Sequence, residues 1–490
     1  MWAMRAALGA FATMLMLVLA AAGCGGDGVG AGQASGADQL RTGALVYWET
    51  NSDPDSDQWK QVEDLLRRFP DGDRWIAELK RELESEGDVS WERDVEPALG
   101  DQAVTAVYAR PGGQPAVVGL TNPEDTDKTV ALVEKVNAAD DGDDAVARVV
   151  GDWVFISDKE SSIDAALEED DAKALTDDSG FNEAMGELPE DSLSRVYVNP
   201  AAALAALRDA GSGAAQAFNL LGLDDIDFAG GWAKAREDGA EIAGILRGEG
   251  AGKLLATDGE YESTLLERVP DDAFAFYSFQ GGGIAKQVET LRSNPLFSLG
   301  VREAERELGV KIDDLVKLFE GEVAFYAAPG GPIPQLTLLL ESKEPEQGRR
   351  SVAELLKTLA ERQVGEVEQD GDITTARFDG FTLSVGSTEG AVVLTTSRSA
   401  FDDLSGLGDK LADDARYKDA LGAAGAPEQY TGLVWVDLTE AIDLIMGYAG
   451  AADEDIPSEV TRNLKPLRSL VAFGEEDGDL SSARFFVEID

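Results

Sequence analysis

The chain writes one pattern twice. VYARPGG at 107–113 returns as FYAAPGG at 325–331, and the match continues on both sides. GALVYWE (43–49) answers AFAFYSF (273–279), and WERDVEPALG (91–100) answers IDDLVKLFEG (312–321). DWVFIS (152–157) is matched by AVVLTT (391–396), and RVYVNPAAALAAL (195–207) by LVWVDLTEAIDLI (433–445). GGWAKAREDGAEIAGILRG (230–248) is matched by SLVAFGEEDGDLSSARFFVE (469–488). A repeat of this length means that one architecture is built twice, because each copy has the same layout of apolar residues to bury.

Within each copy the apolar and aromatic runs read as strands, and residues recurring at helical spacing read as helices. Trp59, Val62, Leu65, Leu66 and Phe69 form one helical face, and Ile284, Val288 and Leu291 another. Gly100 and Gly321 suit helix C-caps. Asn199 and Asp437 fall where a strand gives way to a helix, an N-cap position. PGG reads as a hairpin turn, and in the Glu-Asp-Gly turns Gly239 and Gly478 are expected to supply a positive φ. Each copy thus reads β-α-α-β-β-α-β-β-α-β-α-β-β. The expected fold class is α+β: two tandem similar domains, each an antiparallel sheet with helices packed mainly on one face. The domains are placed at 42–250 and 264–490, joined by a polar link at 251–263.

The N-terminus is an address. Arg5 precedes the apolar stretch ALGAFATMLMLVLAAAGC, which ends in small residues, so 1–23 reads as a signal peptide. LAAAGC resembles a lipoprotein cleavage box, which makes Cys24, the only cysteine, the lipidated first residue of the mature chain. Residues 24–41 form a flexible tether rich in Gly. A retained N-terminal helix is the alternative, since about 20 residues just span a bilayer. Either way the expected location is the extracytoplasmic face of the cell membrane.

VPDDAFAFYSF, the helix ending in glycine before a strand hairpin, and the late strand-to-helix element resemble the domain-of-unknown-function 3352 family. These are uncharacterised envelope proteins of the actinobacterial lipoprotein type. The resemblance covers most of the chain after the tether. It implies location and architecture, and it supplies no catalytic residue.

Composition narrows the chemistry. There are 94 acidic against 42 basic residues, a formal net charge of −52, so a nucleic-acid partner is not expected. There is no histidine, which removes Ser-His-Asp and Cys-His catalysis. No S-x-x-K motif is present, and GGG at 281–283 lacks the spacing of a phosphate loop. Asp53, Asp55 and Asp57 alternate as in a calcium loop, but Gln58 stands where the sharp turn needs glycine, so this is a weak metal candidate. The acidic turns at 137–144 and 222–228 lack a complete ligand set. No cofactor is expected. Trp48, Trp153 and Trp232 are candidates for lining a ligand groove, with Trp48 foremost because it alternates with Tyr47.

The function expected from sequence is a non-enzymatic binding or scaffold role for a lipid-anchored envelope protein, with an unknown envelope protein or apolar ligand as partner. A carrier of an apolar or lipid ligand, held under the sheet or between the repeats, is the alternative. A carboxylate-dependent hydrolase, needing two carboxyl groups about 5–9.5 Å apart, is the third.

Overall fold

A computed structural model describes residues 35–490, apart from 86–88, 111–113, 140–144, 168–172, 210–224, 250–257, 293–294, 331–333, 363–364, 406–407 and 452–455. The signal segment, Cys24, most of the tether, the first PGG turn, most of the acidic turn at 137–144 and part of the link lie outside the described residues. The chain forms two compact units. Unit 1 comprises residues up to Ala251 together with Pro457–Pro466 and Ile489–Asp490; unit 2 comprises Gly252–Ile456 and Leu467–Glu488.

Unit 1 holds strands β1 (Ala44–Asn51), β2 (Gly100–Tyr108), β3 (Ala116–Pro123), β4 (Val146–Val150), β5 (Trp153–Ser157), β6 (Ser194–Val198), β7 (Phe228–Arg236) and β8 (Gly239–Arg247). They pair antiparallel in the order β4-β5-β3-β2-β1-β6-β7-β8. Its helices are α1 (Asp57–Arg67), α2 (Gly72–Ser85), α3 (Thr126–Ala139), α4 (Glu160–Leu167), α5 (Ser179–Glu187) and α6 (Pro200–Asp209).

Unit 2 holds β9 (Ala275–Gln280), β10 (Glu322–Ala328), β11 (Gln335–Glu341), β12 (Glu366–Asp370), β13 (Ile373–Phe378), β14 (Phe381–Thr388), β15 (Ala391–Thr395), β16 (Gly432–Asp437), β17 (Leu467–Asp477) and β18 (Leu480–Ile489). The antiparallel order is β12-β13-β14-β15-β11-β10-β9-β16-β17. Side chains of β18 meet those of β17, with Ser469 Oγ donating to Glu488 (2.7 Å) and Arg484 paired with Glu475 (3.2 Å). The helices are α7 (Gly282–Arg292), α8 (Pro295–Leu308), α9 (Ile312–Val316), α10 (Pro345–Arg362), α11 (Ser399–Ser405), α12 (Ala415–Ala424) and α13 (Leu438–Ala451). A short helix, α14 (Ser458–Leu464), belongs to the segment that packs with unit 1.

The centre of each sheet explains why these sequences adopt this register. In unit 1 Tyr47 lies opposite Tyr197, and Phe181 of α5 stands edge-on to both rings at 5.0 and 5.3 Å. In unit 2 Phe276 lies opposite Trp435, and Tyr417 of α12 meets both edge-on at 6.4 and 5.4 Å. Each helix is started by an aspartate: Asp178 accepts from the Phe181 N–H (3.1 Å) and Asp414 from the Arg416 N–H (2.7 Å). The N-cap aspartate therefore sets which ring enters the core.

Four expectations need correction. Helices cover both faces of the sheet. Val392 packs with Val352 and Leu356 of α10, whereas its neighbour Val393 packs with Tyr417 and Ala420 of α12. Adjacent strand residues point to opposite faces, so both faces are covered there. In unit 1 β5 is likewise buried along its whole length. Second, the first strand is displaced by one residue from the GALVYWE/AFAFYSF comparison. Asn199 N–H donates to Leu45 O (2.9 Å), whereas Asp437 N–H donates to Phe274 O (2.8 Å), so Leu45 answers Phe274. Both strands are apolar on both faces at this point, so alternation did not fix the parity. Third, Gly239 pairs with Arg236 as the first residue of β8 and leaves the turn to Glu237 and Asp238, while Gly478 takes φ 65° as expected. Fourth, Gly100 opens β2 instead of capping a helix; a Cβ there would lie 2.2 Å from Asn122 O. The N-caps hold: Asn199 accepts from Ala202 N–H (2.9 Å) and Asp437 from Glu440 N–H (3.1 Å).

Candidate functional site

The three tryptophans proposed for a groove do not share one. Cross-strand neighbours run Phe155–Leu120–Val104–Glu49–Arg195–Trp232 on one face of unit 1. Trp153, two residues from Phe155, and Trp232 therefore face the same side, and both are buried. The Trp153 ring lies against Gly36, and the Trp232 indole N–H donates to Glu241 (2.8 Å). Trp48 points to the opposite face, is 37 % exposed, and donates its indole N–H to Ser194 Oγ.

The Asp53–Asp57 turn satisfies its own backbone. Asp53 Oδ1 accepts from Asp55 N–H (2.8 Å), Asn51 Oδ1 from Asp53 N–H (3.0 Å), and Ser56 caps α1. Among the described residues no group of three or more acidic side chains is placed to hold a metal.

The sequence did not single out the buried acids. Glu49 lies inside β1, where it accepts from Tyr47 OH and Gln102 (both 2.7 Å) and pairs with Arg195. Desolvation and the adjacent Glu49 charge push the Tyr47 phenol well above its ordinary range. Glu322 opens β10 at 1 % exposure and accepts from Thr264 N–H (2.8 Å), Leu265 N–H (3.0 Å), Thr264 Oγ1 (3.1 Å) and Ser263 Oγ. A glutamate inside an apolar strand was the available signal for both. Asp272 is different. Burial, then the nearby charges of Asp403, Asp271 and Glu440, raise its carboxyl above the ordinary range. Close by, Arg416 joins Asp414, Asp437 and Glu440 (3.2, 3.0 and 2.7 Å).

Unit 2 also carries an open aromatic shelf on the sheet face that α10 partly covers. Tyr277 is 41 % exposed and stacks on Phe279 at 5.2 Å. Its cross-strand neighbours are Phe325 and Val434, Phe325 is followed by Leu338, and Leu336 is exposed on the same face. Elsewhere in unit 2 a cleft of about 660 Å³ is lined by Arg268, Lys317, Lys343, Glu320, Glu344 and Gln347 among others. Its mixed charge suits polar groups, unlike the mostly apolar pockets that hold small ligands.

These features define an α+β protein of antiparallel sheets, with buried acids tied into the scaffold and an exposed aromatic shelf. The chain belongs to DUF3352, a family of proteins of unknown function, whose model matches residues 43–489. No curated protein matches it. Two solved structures, crystal forms III and I of TP0453, align over 46 % of this chain, covering 92 % and 90 % of theirs. Their identities are 11 % and 12 % and their TM-scores 0.23 and 0.22, too low to support a fold argument. No helix among the described residues is long and apolar enough to cross a membrane.

Proposed function

We propose that this chain is a lipid-anchored extracytoplasmic protein of the actinobacterial lipoprotein type. Its ectodomain of two tandem similar domains, near 42–250 and 264–490, serves a binding or scaffold role in the cell envelope without catalysing a reaction. The address rests on the apolar leader ending at Cys24. The tandem reading is supported by the strand order, which is the same in both units once the β12–β13 hairpin is set aside, and by the ring placed edge-on between two aromatic strand residues in each.

The observation that carries binding is the shelf around Tyr277, because contiguous exposed apolar surface on a sheet marks an interaction site. The same shelf favours the second reading, a carrier of an apolar or lipid ligand, since Phe279 and Leu338 continue inward to the core under α10. Native mass spectrometry of the protein purified from its own membrane tests both, with Tyr277→Ala as the control. A co-purified polypeptide lost on substitution supports the scaffold, and a co-purified lipid lost on substitution supports the carrier. A bare monomer from both forms counts against binding at the shelf.

A further inference from the structure

Unit 1 is completed by a segment from far along the chain. Pro457–Pro466 and Ile489–Asp490 pack with it. Asp71, just before α2, donates its N–H to Asn463 Oδ1 (3.0 Å), and Asn463 Nδ2 donates back to Asp71 Oδ2 (2.5 Å). Residues 392 positions apart thus close a reciprocal pair. Arg462 donates to both carboxylate oxygens of Asp71 (3.1 and 2.8 Å). Arg74 pairs with Glu459, so the charges on the two sides match in opposite order. The chain end is held as well: Asp490 N–H donates to Pro466 O (2.8 Å), and Arg68 donates to the carbonyls of Ile489 and Glu237. Hydrogen bonds from Asn463 and Arg462 hold the Asp71 carboxyl below its ordinary range.

The docked segment has little stability of its own. Helix α14 has seven residues and no side-chain N-cap, too short to persist in water. Its Val460 is 46 % exposed and the buried residue of the helix is the polar Asn463, so apolar burial is not the main hold. A segment held chiefly by polar contacts at a partly exposed surface opens without unfolding what it sits on. We propose that Asp71 and Arg74 form a docking site on unit 1 for a short helical segment, which the chain fills with its own residues 457–466 as a reversible clasp. The recognised pattern is Glu459, Arg462 and Asn463 on one turn and a half of helix.

The test is hydrogen exchange with mass spectrometry on the full chain. Asn463→Ala is expected to speed exchange of the Asp71 amide and of 457–466 at least tenfold, leaving β2 and β3 unchanged. Asp71→Ala is expected to do the same at 457–466, and the double variant to add nothing, because the pair acts as one unit. Arg462→Ala, which spares the reciprocal pair, is the milder second variant and is expected to give a smaller acceleration. Unchanged exchange at 457–466 in both Asn463→Ala and Arg462→Ala overturns the clasp. Acceleration spreading equally to β2 and β3 overturns it too, since the segment would then be part of the core of unit 1. Neither result depends on what binds at the shelf.

Discussion

Glu322 offers the sharpest test of how the buried acids work. Its carboxylate fastens the segment before the 3-10 turn Leu266–Arg268 to the start of β10. Truncation to alanine leaves the Leu265 N–H, in a residue 1 % exposed, without its acceptor. An unsatisfied buried donor costs about 1–3 kcal/mol. The Thr264 N–H belongs to an exposed residue and recovers a water. Lost packing and the cavity add about 1–2 kcal/mol, for a sum of about 2–5 kcal/mol. Glutamine keeps the shape: its carbonyl oxygen takes the place of Oε2 with the same three donors, and its NH₂ turns to Ser263 Oγ, which accepts. What is lost is charge assistance, and that is offset by relief from burying a charge, leaving about 0–1 kcal/mol. Urea unfolding of Glu322→Ala and Glu322→Gln, followed by circular dichroism, is therefore expected to separate the two by about 1–5 kcal/mol. Exchange of the amides at 261–268 should accelerate only in the alanine variant. If glutamine proves as damaging as alanine, charge and not acceptor geometry holds this corner. If both lie within about 0.5 kcal/mol of wild type, the fastening role is wrong.

Phe181→Ala and Tyr417→Ala each remove the ring between two aromatic strand residues, and each should cost about 3–5 kcal/mol in equilibrium unfolding. A cost under about 1 kcal/mol at either site would remove that ring from the account of the core. Burial raises the phenols of Tyr197, Tyr326 and Tyr430 from 10.0 to about 12. Their neutral form is favoured in the folded state, so this stabilisation is whole below pH 10 and lost as pH rises through about 12. An ultraviolet phenolate titration should find these residues silent until the protein unfolds in alkali, and reversible ionisation near the ordinary value in the folded state would contradict the burial.

Strand and helix content was legible because strand runs such as RVYV and helical spacings such as Trp59–Val62–Leu65 are long and regular. Parity was not: β1 and β9 are apolar at successive positions, so nothing in GALVYWE or AFAFYSF says which residue faces α5 or α12. The two-sided helix cover, by contrast, has a signal in the sequence. In AVVLT both faces are apolar, which is the mark of a strand covered on each side. Alternation places Trp48 and Tyr47 on opposite faces, but which of the two is exposed was no more legible than the parity, and Trp153 and Trp232 carry no such neighbour. The exposed shelf went unseen because Tyr277, Phe325 and Leu336 come together only through strand pairing. The clasp was invisible for a related reason: Asp71 and Asn463 share no local pattern.

The acids acquire meaning once register is known. Gln102 lies opposite Asn51 and accepts the Gly36 N–H (2.9 Å) ahead of one 3-10 turn. Glu322 lies opposite Gln280 and accepts the Leu265 N–H ahead of another. The same task falls to an amide in unit 1 and to a carboxylate in unit 2. The charge sits elsewhere in unit 1, on Glu49 in the neighbouring strand, where Arg195 neutralises it. In unit 2 the places of that pair are held by Ser278 and Leu433, so Glu322 has hydrogen-bond donors where Glu49 has a cation. The tolerance expected of Glu322→Gln follows from this comparison, because the substitution rebuilds in unit 2 what Gln102 already does in unit 1. By the same reasoning Glu49 should not tolerate glutamine, since that change would leave the Arg195 guanidinium facing a neutral partner within a half-buried site.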